Sequence, residues 1–241
     1  MIELRPFNSL GAANHGWLDA HHHFSFASYH DPDRVNWGSL RVWNDDTIQP
    51  GTGFPTHPHN DMEIITYVRK GAITHRDSVG NEGRTEAGDV QVMSAGDGIQ
   101  HSEYNREDED TEIFQIWIIP DERGGKPTWG AREFPKDDRA GQFVPLAAST
   151  ANDNDLADGA LPIRTDARVL GATIKAGESV TYIPRSADRH LYLVPAIGKV
   201  RIDNGADGVR ANARDGVAIT QFEQVTITAL EDSEVVLVDA A

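Results

Sequence analysis

The sequence predicts an all-β chain folded as two similar β-barrels, and three observations predict it. Runs of β-branched and aromatic residues with period-two alternation recur along the chain. Glycine-bearing turns separate these runs where hairpin loops would sit. The pattern then repeats: Tyr67 to Gly71 is echoed by Val194 to Gly198, and Ala87 to Val90 by Arg214 to Val217, at offsets of 126 or 127 residues. A chain of 241 residues can bury a sizeable core, as two small domains or one large β domain.

From the N-terminus, Glu3 to Leu40 is loop-rich, with His15, His21, His22, His23 and His30 interleaved with Trp17, Phe24, Phe26 and Tyr29. Successive side chains of a strand alternate in direction, so the run His21 to His23 reads as half-buried strand rather than a second metal site. Leu40 to Asn44 alternates as a strand, and Asn44 through Gly53 reads as a loop that delivers the chain to His57. Pro58 lacks an N–H and suits an edge or rim position. Glu63 to Val68 and Gly71 to His75 are strands, Gly80 to Gly83 is a hairpin loop, and Ala87 to Met93 is a turn followed by a strand. Glu107 to Asp110 is a solvated acidic turn. Glu112 to Ile118 is a strand whose faces carry Phe114 and Ile116 on one side and Gln115 and Trp117 on the other, and either pair could line a barrel. Asp121 to Asp158 lacks periodicity and connects the halves, its most polar part holding Ser149, Asn152, Asp153, Asn154 and Asp155. The expected domains are residues 1–135, a metal-binding barrel; 136–160, a linker; and 161–241, a barrel without metal ligands.

The chemistry gathers in two triplets, His57-Pro58-His59 and His101-Ser102-Glu103. Positions i and i+2 of a strand share a face, so each triplet aims two donors one way, and two facing strands would converge four donors on one point. Three imidazoles and a carboxylate suit a first-row divalent metal such as iron, manganese, nickel or zinc, and not a hard calcium site. Four protein ligands leave two octahedral positions for a substrate oxygen and dioxygen. At the repeat offsets, Pro184, Ser186, Ile227 and Ala229 stand opposite the four donors, so the second copy keeps the strand pattern and lacks every ligand.

Gly51 to Glu63 resembles the first cupin motif, and Gly88-Asp89 through Gly98-Ile99-Gln100-His101 the second. The form F-P-T-H-P-H followed by M-S-A-G-D-G-I-Q-H-S-E is similar to the pirin family, nearest its bacterial quercetinase-like members, with further similarity at His15 to Asp19 and Phe24 to Ala27. The resemblance implies two cupin barrels, a bicupin, with His57, His59, His101 and Glu103 as metal ligands. Two departures from the general cupin pattern are Gly96, where proline is usual, and one extra residue between Glu63 and Gly71. Glu63 holds the place of the usual cupin glutamate ligand, so two carboxylates compete for one role.

That resemblance further implies a metal-dependent dioxygenase, quercetin 2,3-dioxygenase-like, that cleaves flavonols such as quercetin. Its cofactor would be one divalent transition metal, Fe(II) first, with Mn, Ni, Cu or Zn as alternatives. The substrates would be a small flavonol-like aromatic and dioxygen, with Glu103 as general base and Phe54, Met93 and Trp117 as an apolar mouth. The alternative is a metal-containing regulatory or redox-sensing pirin acting through a protein partner.

Composition narrows the rest. A net charge of −16, from 22 basic and 38 acidic residues, opposes direct binding to nucleic acid or anionic membrane. No apolar run approaches the ~20 residues of a membrane span. The absence of cysteine removes disulfides and thiolate chemistry. No secretory signal follows Met1, and a cytoplasmic location is expected by default.

Overall fold

The computed structural model describes residues 1–151, 153–205 and 208–241, so the expectation for Asn152 lies outside the described residues. The first half contributes β1 (Ile2–Arg5), β2 (Gly11–Asn14), β3 (Leu18–His22), β4 (Leu40–Ile48), β5 (Gly53–His59), β6 (Glu63–Lys70), β7 (Ala72–Asp77), β8 (Glu82–Glu86), β9 (Val90–Ser94), β10 (Ile99–Tyr104), β11 (Thr111–Ile118) and β12 (Thr128–Arg132). The second contributes β13 (Val144–Ser149), β14 (Leu161–Ile163), β15 (Ala167–Ile174), β16 (Ser179–Tyr182), β17 (His190–Ile197), β18 (Lys199–Asp203), β19 (Gly208–Asn212), β20 (Gly216–Ile219), β21 (Val225–Ala229) and β22 (Ser233–Ala240). No helix among the described residues is long and apolar enough to cross a membrane.

Each half pairs a large sheet with a small one. The first has the orders β12-β9-β6-β11-β4-β3-β2 and β5-β10-β7-β8; the second has β1-β20-β17-β22-β15-β13-β14 and β16-β21-β18-β19. Strand by strand, β9, β6, β11 and β4 correspond to β20, β17, β22 and β15, so the sequence repeat is a repeat of topology and the fold is two cupin barrels. The large sheets pack on each other through a core that includes Trp43, Ile65, Phe114, Tyr192, Val194 and Val236. Two strands cross the expected boundaries. β1 pairs with β20 in the second half, and β13, within 136–160, pairs with β14 and β15.

The ligand-free counterpart positions need correction on one strand. His101 faces His57 in the first barrel, and Ile227 faces Val180 in the second. His59 faces Ile99 just as Tyr182 faces Val225. The residues opposite His57 and His59 are therefore Val180 and Tyr182, not Pro184 and Ser186. The cause is a connection of residues 183–189 after β16 where the first barrel has only 60–62 after β5. Val180, Ile227 and Ala229 lie in the apolar core of the second barrel.

Two local expectations also move. Asn44, Asp45 and Asp46 lie within β4 rather than in a loop, and two of the three buried side chains meet polar partners: Asn44 on His22, and Asp45 on Arg69 and Arg214. Glu82 and Gly83 begin β8, so the hairpin loop is residues 78–81. Of the two faces of β11, Phe114 and Ile116 enter the core between the barrels, while Gln115 and Trp117 turn toward the first barrel's interior.

Candidate metal centre

β5 lies at the edge of the small sheet, beside β10, which places Pro58 where no ladder N–H is missed. Antiparallel pairing sets His101 directly across from His57. One ring nitrogen from each of His57, His59 and His101 lies within 4.8 Å of the others. His101 is buried and the other two rings are half-buried, so the triad is rooted in the barrel and open on one side.

Glu103 shares the inward face of β10 with His101, as the i, i+2 spacing requires. Its carboxylate is 1% exposed and accepts three hydrogen bonds: Gln91 Nε2 at 2.5 Å and Thr66 Oγ1 at 3.2 Å on Oε1, and Gln115 Nε2 at 2.7 Å on Oε2. Glu103 also belongs to an overlapping cluster with His101 and His75, again within 4.8 Å. The competing carboxylate, Glu63, lies elsewhere in the barrel. It pairs across β9 with Ser94, whose Oγ donates to Glu63 Oε2 at 2.5 Å, and burial raises its carboxyl above the usual range.

The donor set fits a divalent cation. Burial, and then the neighbouring imidazoles of His101 and His57, push His59 down to about 4. Burial, with His57 and His75 next, pushes His101 down to about 3. Both rings are therefore neutral near pH 7, the form that ligates metal. Pro55 carbonyl oxygen lies 2.7 Å from His57 Nδ1. A carbonyl only accepts, so a His57 ring with a single proton carries it on Nδ1 and presents a bare Nε2 to His101 Nε2 at 3.1 Å. His59 has no side-chain hydrogen bond among the described residues. Ring nitrogens that converge with fewer protons than acceptors are what a cation satisfies.

An aromatic wall stands beside the triad. Trp117 meets His59 edge-on at 4.9 Å, and Phe26 meets Trp117 at 5.4 Å with the planes perpendicular. Of the expected apolar mouth, Trp117 is thus against the site. Phe54 packs on Trp17 with its ring 6.5 Å from His57, and Met93 is buried with Ile64 and Ile99. The run His21 to His23 joins no metal-sized cluster among the described residues: His22 bonds Asn44 and His23 bonds Tyr192.

Sequence reasoning missed His75, Gln91, Gln115 and Asp46. Asp46 is buried with Oδ1 unpartnered among the described residues, and burial, then Asp45 and Glu103, hold its carboxyl well above the usual range. One signal was present for His75, since His75-Arg76-Asp77 repeats the same-face spacing of the two triplets.

Known proteins share this fold. Residues 3–118 match the Pirin family model, and residues 148–240 match the quercetinase C-terminal cupin domain. A pirin-like protein of Caulobacter vibrioides is 65% identical over 100% of both chains. A quercetin 2,3-dioxygenase of Escherichia coli is 44% identical over 99% of this chain and 98% of its own. A crystal structure of a bacterial pirin from Escherichia coli in complex with nickel(II) superposes with a TM-score of 0.90 at 41% identity, covering 100% of this chain and 99% of the other.

Proposed function

Since the chain belongs to the pirin family, we propose that it is a metal-dependent dioxygenase of small phenolic substrates, flavonols such as quercetin among them. The observation that carries this reading is the convergence of three imidazoles beside a buried carboxylate and an aromatic wall. The name quercetin 2,3-dioxygenase on relatives such as the one from Escherichia coli supports it. In this reading residues 1–135 form the metal-binding half and 161–241 its ligand-free counterpart, with 136–160 as a connection that lends an edge-side strand to the second sheet.

His57, His59 and His101 would hold the metal, with Glu103 as the fourth ligand. A divalent metal there supplies Lewis acidity toward a substrate hydroxyl. The nickel(II) bound by the Escherichia coli pirin supports a divalent ion, and Fe(II) is our assignment for the working metal. Trp117 and Phe26 offer perpendicular aromatic faces on which a flat phenolic ring can pack. One oxygen of the Glu103 carboxylate would accept the substrate proton, and Gln91, Thr66 and Gln115 keep that carboxylate in one orientation. Neutral His59 and His101 do not compete for the proton near pH 7, because both titrate several pH units lower.

The test is dioxygen uptake by purified, Fe(II)-loaded protein with quercetin, alongside His57→Ala. Uptake that is stoichiometric with quercetin loss and absent from the variant is expected. A metal-loaded protein that consumes neither dioxygen nor any member of a phenolic panel would remove the enzymatic reading.

A further inference from the structure

We propose that His75 and Asp77 are positioning residues that fix the tautomer of His101, so that a four-residue hairpin loop controls how tightly the barrel holds its metal. This rests on the metal site proposed above.

Asp77 closes the hairpin between β7 and β8. Its Oδ1 accepts from the backbone N–H of Val79 at 3.1 Å and of Asn81 at 2.9 Å. Its Oδ2 accepts from Asn81 Nδ2 at 2.9 Å and lies 3.1 Å from His75 Nε2. A carboxylate can only accept, so Nε2 of His75 carries a proton, and a His75 ring with a single proton has a bare Nδ1. That bare nitrogen faces His101 Nδ1 at 3.4 Å, a long but aligned approach.

Neutral His101 has one proton and two bare nitrogens facing it, His57 Nε2 at 3.1 Å and His75 Nδ1 at 3.4 Å. It can satisfy only one of them. A cation in the triad resolves the conflict, because it takes the His101 Nε2 lone pair and leaves the proton on Nδ1 for His75. The hairpin, His75 and His101 then form one directed chain of hydrogen bonds ending at the metal-facing lone pair.

The surroundings hold this chain in place. The His75 ring is fully buried and stacks on Trp129 at 4.8 Å with the planes 9° apart. Trp129 lies so close over Gly83 that a Cβ there would collide with its indole, so the glycine is what lets the indole reach His75. Backbone pairing sets Asp77 across from His101 and His75 across from Glu103. Ser78 ties the loop to β10 twice, its N–H donating to Gln100 oxygen at 2.8 Å and its Oγ accepting from Gln100 N–H at 3.1 Å.

The variant Asp77→Asn reverses the chain. The two backbone N–H groups on Oδ1 hold the amide oxygen there, so the amide NH₂ takes the place of Oδ2 and donates toward His75 Nε2. His75 must then carry its proton on Nδ1, facing His101, and His101 is driven to protonate Nε2. We expect zinc(II), used as a diamagnetic probe, to bind about 10- to 100-fold more weakly to folded Asp77→Asn. His75→Phe, which keeps the stack on Trp129 and removes the acceptor, should weaken zinc in the same direction. The wild type provides a measurement that no folding defect can confound. In ¹⁵N spectra of the zinc-loaded protein, His75 should carry its proton on Nε2 and His101 on Nδ1. A His75 protonated on Nδ1 overturns the relay, as does undiminished zinc affinity in both variants. So does a second zinc per chain that is lost with His75, since that would make His75, His101 and Glu103 a metal site of their own. If the wild type takes up no zinc, or His57→Ala retains it fully, the metal-site reading fails and the relay with it; the other outcomes remove the relay alone.

Discussion

Glu103→Gln separates the two duties given to this carboxylate. The amide can still offer an oxygen to a metal, but it cannot take up a substrate proton. Its NH₂ must also face a donor. Turned toward Gln115, it requires that side chain to flip, which breaks the bond from Trp117 Nε1 to Gln115 Oε1 at 3.2 Å. Turned toward Gln91, it requires Gln91 to exchange its ends and two hydroxyls to rotate: Thr66 Oγ1, now donating to Glu103 Oε1 at 3.2 Å, would accept from the amide and donate to Gln91, and Thr85 Oγ1, now donating to Gln91 Oε1 at 3.1 Å, would accept instead. The second arrangement is cheaper, and the variant should fold. One weakened pairing in a buried site costs about 1–3 kcal/mol, and at about 2–4 °C per kcal/mol for a chain of this size the melting midpoint should fall by about 2–12 °C. Turnover per bound metal should drop by at least ~10²-fold, the lower end of what a general base contributes, while three imidazoles keep most of the metal. The assay is quercetin turnover normalised to metal content, with a melt on the same sample. Glu63→Gln is the control, since Glu63 bonds Ser94 and joins no histidine cluster; it should keep the metal and a substantial share of turnover. If Glu63→Gln strips the metal while Glu103→Gln turns over normally, the carboxylate assignment is reversed.

Ile219→Ala, in the fully buried core of the second barrel, should cost about 2–5 kcal/mol in urea unfolding while the folded fraction keeps its full metal content; metal loss without unfolding contradicts a ligand-free second barrel. Asp45→Asn should cost on the order of 3 kcal/mol, because buried Asp45 accepts Arg69 Nη2 at 2.5 Å and Arg214 Nε at 2.6 Å, tying the barrels together; a loss below about 1 kcal/mol would make this ion cluster no stronger than a surface pair. Metal uptake between pH 5 and 7 should release at most one imidazole proton, since His59 and His101, lowered to about 4 and about 3, are already neutral above about pH 5. Calorimetry of zinc binding in buffers of different ionisation enthalpy reads this directly, and release of two or more protons contradicts it.

The parts of the fold legible in the sequence are those where one strand's own residues carry the signal. β6 and β11 announce themselves by β-branched and aromatic runs, and the triplets by same-face spacing. Residues whose environment is made by distant partners were harder to place. Asn44 to Asp46 look like a loop until Arg69, Arg214 and His22 are beside them. Ile2 to Arg5 carries no sign that its partner is Ile219 to Gly216 at the far end of the chain. The counterparts of His57 and His59 slipped because a fixed offset cannot see the longer connection after β16. His75 was legible as a strand residue and not as part of the site, since the histidines it resembles come in pairs and it pairs with an aspartate.

The most direct test of the account is the metal content of protein loaded anaerobically, measured by elemental analysis for the wild type and for His57→Ala. The two-barrel reading predicts close to one divalent metal per chain in the wild type and a large loss in the variant, because the second barrel places Val180, Tyr182, Ile227 and Ala229 where the first has its donors. Two metals per chain, one of them surviving His57→Ala, would contradict it.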